Sequence, residues 1–178
     1  MRRQTSATPF SSGLIEPLES RRLCAAITVN GTASADTILI SSNGTVVTAS
    51  VNGTTTNYSS VTAITVNAGS GSDYVEIGTN ITRPATLAGN AGADTLLSGS
   101  GSDVLTGGDG NDLLNGRDGN DTVFGNLGAD SIYGGNGADD LYQNGSTNSP
   151  DNSIDQFYPG DGDDVFGSFT SDGDVVNI

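Results

Sequence analysis

Six aspartates recur at a strict interval of nine residues: Asp94, Asp103, Asp112, Asp121, Asp130 and Asp139. Each stands two residues after a glycine (Gly92, Gly101, Gly110, Gly119, Gly128, Gly137) and two residues before Leu, Ile or Val. Glycine opens the backbone to angles that side chains forbid and lets carbonyl oxygens crowd together. A turn of this kind offers backbone oxygens plus one carboxylate, the mixed set of hard oxygens that a cation of the calcium type accepts in a tolerant geometry. The remaining composition narrows the chemistry. The chain has no His, so neither a Ser-His-Asp triad nor a His-based zinc site can form. It has no Lys, which removes P-loop and Schiff-base chemistry. Paired carboxylates remain as a formal glycosidase-like option. They fall in ligand rows instead, and the chain reads as no enzyme.

The aspartates sit in six gapless nonapeptides covering residues 89–142. The repeat starting at Gly107 matches Gly-Gly-x-Gly-x-Asp-x-apolar-x at every fixed position. Position 1 is Gly89, Gly107, Gly116, Gly125 or Gly134, and Ser98 in the second copy. These position-1 glycines contribute turn carbonyls to the candidate ligand set. Position 2 is looser, with Asn90, Arg117 and Asn126 in place of Gly. Asp109 and Asp118, at position 3, would offer a backbone carbonyl, their carboxylates adding only negative potential. Degenerate copies flank the run, one ending in Asp73 to Val75 and one around Asp164. Those two aspartates are weaker candidates, because their stacking partners are less clear. Ile77 to Ala88 forms an insert, and the polar stretch Gln143 to Tyr158 reads as a loop.

The period implies how the turns are held. Positions 1–6 read as a turn and positions 7–9 as a short strand whose position-8 side chain faces inward. Two nonapeptides make one coil of a flattened helix, so units eighteen residues apart stack. Asp94, Asp112 and Asp130 then line one edge, and Asp103, Asp121 and Asp139 the other. A solvated acidic linker would need no strict apolar phase. A metal-free solenoid would leave the carboxylate rows repelling one another.

The nonapeptides resemble the RTX, or hemolysin-type, calcium-binding repeats. That resemblance implies an all-β fold, a right-handed parallel β-roll (a β-helix solenoid). It implies Ca2+ as the cofactor, with ligation by the six aspartates named above. It also implies a bacterial protein that is secreted or sits at the cell surface. EF-hand spacing, with Glu at the twelfth position, is absent.

Four regions follow. Residues 1–24 read as a disordered leader, 25–67 as a β-rich cap, 68–142 as the repeat β-roll, and 143–178 as a loop with a degenerate C-terminal repeat. In the cap, β-branched runs at 27–29, 37–40, 45–47, 49–51 and 63–66 alternate with Asn-Gly pairs at 30–31, 43–44 and 52–53, which suit tight turns. Three of these pairs precede Thr and so also form glycosylation acceptors, secondary here to turn chemistry. Residues 14–26 resemble the Leu-Glu-Pro-Arg-x-Leu-Leu-Ser-Ala motif of certain bacterial surface proteins, with Ser20 in place of Pro. This resemblance implies export and a processed leader. No apolar run precedes Cys24, so a lipoprotein anchor is not expected.

The formal net charge is −15, with 21 acidic residues against 6 basic ones, and four of the six lie in the first 22 positions. Nucleic acid is therefore not a partner, since phosphate contacts need a basic surface. No stretch is long and apolar enough for a membrane span. The expected partner is calcium. Two other functional readings stand beside it: an adhesion module in which the array is a calcium-stiffened scaffold, and a secretion carrier whose C-terminus, Asp172 to Ile178, serves as signal. For that terminus an ordinary final strand is the simpler expectation.

Overall fold

The protein is described from a computed structural model, which places residues 25–143, 155–167 and 175–177. The leader and Cys24 lie outside these residues, as does the motif except for Ala25 and Ala26. Strands β1 (Ala25–Asn30), β2 (Thr37–Ser42), β3 (Val46–Val51), β4 (Thr54–Ser59), β5 (Val61–Ser70) and β6 (Tyr74–Ile77) come first. The repeats supply β7 (Ala85–Ala91), β8 (Thr95–Leu97), β9 (Val104–Asp109), β10 (Leu113–Asp118), β11 (Thr122–Leu127), β12 (Ser131–Asn136) and β13 (Asp140–Tyr142). The chain then adds β14 (Gln156–Asp161), β15 (Val165–Phe166) and β16 (Val175–Val176). There is no helix among the described residues.

The chain winds as a parallel β-solenoid. One sheet has the order β1-β5-β7-β9-β11-β13-β15, and the other β16-β14-β12-β10-β8-β6-β2-β3-β4. Apart from β3 and β4, successive strands therefore alternate between sheets, and each pairs in parallel with the strand one coil on. In the array the register is eighteen residues: Leu114 faces Leu96 below and Ile132 above, and Val123 faces Leu105 and Leu141. The position-8 side chains from both sheets meet in the middle. Leu96, Leu105, Leu114, Val123, Ile132 and Leu141 are all completely buried. This single-file core explains the scarcity of aromatics, since a narrow coil has room for one aliphatic layer per strand.

The strands are longer than the three residues expected. In β9 to β12 they run from position 7 through position 3 of the next repeat, which confines the turn to positions 4–6. The ladder is carried past position 1 because position 2 adopts a left-handed backbone. Asn90, Arg117 and Asn126 have φ of 77°, 67° and 79° there, alongside Gly108 at 123°. The position that looked loose in sequence is thus fixed in backbone, and Asn is the non-glycine residue that best tolerates it.

The solenoid does not begin at the repeats. β1 pairs in parallel with β5, β2 with β6, and both sheets continue into the array without a break. The Asn-Gly pairs at 43–44 and 52–53 turn the antiparallel excursion β2-β3-β4, and the 45–51 region is one strand, not two. Asn30-Gly31 makes no hairpin and enters a solenoid turn instead. At the other end, the loop expected over 143–158 is in part a strand. Phe157 takes the position-8 place above Ile132 and is 1% exposed, so its burial commits β14 to the sheet. The final strand expected near the C-terminus is β16, paired with β14.

Candidate metal centre

The turns stack along the two edges. On one edge lie Asp36, Asp73, Asp94, Asp112, Asp130 and Asp155; on the other, Asp103, Asp121, Asp139 and Asp164. Each carboxylate after Asp36 reaches one coil back. Oδ1 of Asp112 accepts the backbone N–H of Asp94 at 2.8 Å, and Oδ1 of Asp121 accepts that of Asp103 at 2.8 Å. The same bond joins Asp94 to Asp73, Asp130 to Asp112, Asp139 to Asp121, Asp155 to Asp130 and Asp164 to Asp139, all within 2.7–2.9 Å. The two edges of the array thus hold the aspartates in the groups that the eighteen-residue stacking implies. Asp36 and Asp155 also belong to the first row, and sequence reasoning missed both. Gly31 five residues before Asp36, and Phe157 two residues after Asp155, were the available signals.

The second carboxylate oxygen has a different fate. Oδ2 of Asp73, Asp94, Asp112, Asp121 and Asp139 is buried and has no hydrogen-bond partner. Buried polar atoms in native proteins are nearly always satisfied, and an orphaned set in register points to an ion. Each orphan in the array faces a position-1 glycine. A methyl group on Gly107 would lie 2.3 Å from Asp112 Oδ2 and 2.7 Å from the Gly125 carbonyl oxygen. On Gly116 it would lie 2.4 Å from Asp121 Oδ2 and 2.7 Å from the Gly134 carbonyl. Gly89, facing Asp94 and the Gly107 carbonyl, and Gly134, facing Asp139 and the Pro159 carbonyl, repeat this geometry. Gly125 lies against the Asp130 carboxylate alone. The cradles at Gly89, Gly107, Gly116 and Gly134 therefore join a carboxylate oxygen of one coil to a carbonyl oxygen of the next. Among the described residues no three acidic side chains converge, so most oxygens around a cation here must come from the backbone. This donor set, all oxygen and one carboxylate per turn, fits calcium.

The weaker candidates are placed as follows. Asp73 is buried in the first row, but Ala68 stands in register with Gly89 and brings a methyl to position 1. Asp164 ends the second row, half-buried. Asp109 and Asp118 point to solvent. The Asp109 carbonyl accepts the Gly92 N–H at 2.8 Å, and the Asp118 carboxylate takes the Asn136 amide at 2.7 Å. Asp36 needs no cation, because Asn52 from the β3–β4 turn, together with the Thr32 N–H and hydroxyl, satisfies both its oxygens. Those bonds, Asn52 first, hold its carboxyl below the usual range.

Burial does the opposite in the array. It raises the carboxyls of Asp94, Asp103 and Asp139, pushes Asp112 up to about 7, and pushes Asp121 up to about 8. Neighbouring carboxylates add to the rise for Asp112 and Asp121, whereas backbone N–H groups oppose it. A carboxyl raised in the folded state binds more protons folded than unfolded. Stability without metal therefore falls as pH rises from about 4 toward about 8, and acid favours the metal-free fold. Protons and a divalent cation relieve the same buried charge and compete for it.

Comparison with known proteins agrees with this geometry. The family model for the RTX calcium-binding nonapeptide repeat matches residues 88–123 and 115–142, in four copies. No curated protein and no solved structure matches the chain. The stacked array of residues 88–142 is made of RTX calcium-binding repeats, and the ion that such repeats take is Ca2+.

Proposed function

We propose that this chain binds calcium in the gaps between stacked turns and folds outside the cell as it does so. The observation that carries the reading is the set of orphaned Oδ2 atoms of Asp94, Asp112, Asp121 and Asp139, each facing a glycine cradle and a carbonyl of the next coil. The ligand aspartates are Asp94, Asp112 and Asp130 on one edge and Asp121 and Asp139 on the other. Each works with the position-1 carbonyl above it. Buried carboxylates without counter-charge oppose folding, and an ion bound only by the folded state favours it. An affinity of about 10⁻⁴–10⁻³ M, as in extracellular calcium modules, leaves the chain unfolded in a low-calcium cytosol and folds it at a secreted or surface location. The role is structural and not catalytic.

Calorimetric titration of the full chain with CaCl2 is expected to count about five ions, one for each glycine cradle at Gly89, Gly107, Gly116, Gly125 and Gly134. A count of zero or one contradicts the reading.

The exposed β4 strand favours an additional adhesive role. It edges its sheet with Thr54, Thr55, Thr56 and Asn57, all exposed, and a free edge can accept a partner's strand. Capture of a cell-surface partner by the full chain, lost when β4 carries Thr55→Pro, supports this role. Capture unaffected by that change argues against it.

A further inference from the structure

The second row starts differently from the first. Position 1 of its first repeat is Ser98, which is completely buried. Its hydroxyl donates to the Gly116 carbonyl at 2.5 Å and lies against the Asp103 carboxylate. These are the same two groups, own-repeat carboxylate and next-coil carbonyl, that face the glycine cradles at Gly89, Gly107 and Gly116. In those cradles the space between them is left free by the missing side chain. Here it holds an oxygen and a proton.

Asp103 reflects the change. Its Oδ2 accepts the Gly99 N–H at 3.2 Å, while Oδ2 of Asp94, Asp112, Asp121 and Asp139 finds no partner. Gly99 can make this bond because its turn departs from the others. Its φ is not positive, unlike Gly108 or Gly135 at the same position, and the turn packs on the insert, with the Ser100 N–H bonded to the Ile81 carbonyl at 2.8 Å. A fixed cation stands at the same place. Arg117 lays its guanidinium Nη1 on the Ser98 and Ile77 carbonyls at 3.0 and 2.8 Å, and Nη2 on Glu76 at 2.8 Å.

We infer that Ser98 closes the Asp103–Gly116 gap to calcium, so that the second row begins to bind only at Asp121. The hydroxyl satisfies the Gly116 carbonyl and the Gly99 N–H satisfies Asp103 Oδ2, the two oxygens that a calcium ion would otherwise bridge, and Arg117 supplies positive charge to the carbonyls at the base of the row. Asp103 is then a strut between coils and not a ligand. This inference rests on the calcium reading above.

The test is a calcium count by calorimetry on the full chain and three variants. Ser98→Gly opens the cradle and is expected to add one ion. Ser98→Ala keeps it filled with a methyl group and is expected to leave the count unchanged. Gly116→Ser installs the same plug beside Asp121 and is expected to remove one ion. An unchanged count in Ser98→Gly overturns the inference, as does the loss of one ion in Ser98→Ala, which would make the hydroxyl a ligand. If Ser98→Gly does not fold in saturating calcium, Gly116→Ser decides, and an unchanged count there overturns the inference. Wild-type chain that binds no calcium at all would overturn the calcium reading and this inference with it. Wild-type binding with the wrong variant pattern would overturn this inference alone.

Discussion

Asp112→Asn is expected to lose one calcium ion and to shift stability in opposite directions with and without the metal. The asparagine keeps the volume and the Oδ1 acceptor for the Asp94 N–H. It loses the charge on the oxygen that faces Gly107 and the Gly125 carbonyl. In EGTA the wild-type carboxylate is a buried charge offset only by the Asp94 N–H, and burial still raises it to about 7; a neutral amide removes that penalty. In calcium the carboxylate is a ligand, and its loss empties a site between two coils. The variant should therefore show more residual sheet structure than wild type in EGTA and a lower thermal midpoint than wild type in calcium. Circular dichroism in both buffers reads the crossover. A variant that is destabilised equally in both would mean that Asp112 acts only as a strut.

Leu114→Ala is expected to cost as much without touching the metal. Leu114 is completely buried and stacks between Leu96 and Ile132 in the single-file core. Truncations of this kind cost about 2–5 kcal/mol, a large part of the roughly 5–15 kcal/mol that holds a typical domain together. In a solenoid each unit leans only on its neighbours, so a void at one layer weakens the joint on both sides. A loss of about 3 kcal/mol corresponds to a drop of roughly 10 °C in the calcium-bound midpoint at this chain length. The calorimetric calcium count should stay the same. A midpoint within a couple of degrees of wild type would show that the core does not limit stability.

The contrast between these two positions also explains what could be read from the sequence. Leu114 and Asp112 announce themselves by phase: an apolar residue and an acidic one each recur every nine residues, and that periodicity, together with the resemblance to the RTX repeats, gives the coil, the two rows and the inward stripe. Asp36 and Asp155 occupy the same row but were hidden, because the residues before them lack the paired glycines. Gly31-Thr32-Ala33-Ser34-Ala35-Asp36 keeps only the first glycine, and its fit depends on Asn52, sixteen residues away in sequence and brought in by the β3–β4 hairpin. Contacts of that range leave no local pattern. Position 2 misled in the other direction. Arg117 looks like a lapse in the consensus, yet its left-handed backbone and its reach to Glu76, two coils below, make it a specific part of the fold. Ser98 in place of glycine is a small change in sequence and a large one in the cradle, because at position 1 a β-carbon points between two oxygens.

Circular dichroism of the full chain, titrated with CaCl2 at neutral pH and then with EGTA, tests calcium-driven folding most directly. The orphaned carboxylates predict a weak sheet signal without calcium, a cooperative gain on addition, and its loss on chelation. They also predict that the EGTA sample regains part of the signal at pH 5, where protons replace the ion. A full sheet spectrum in EGTA at pH 8, unchanged by calcium, would contradict the account.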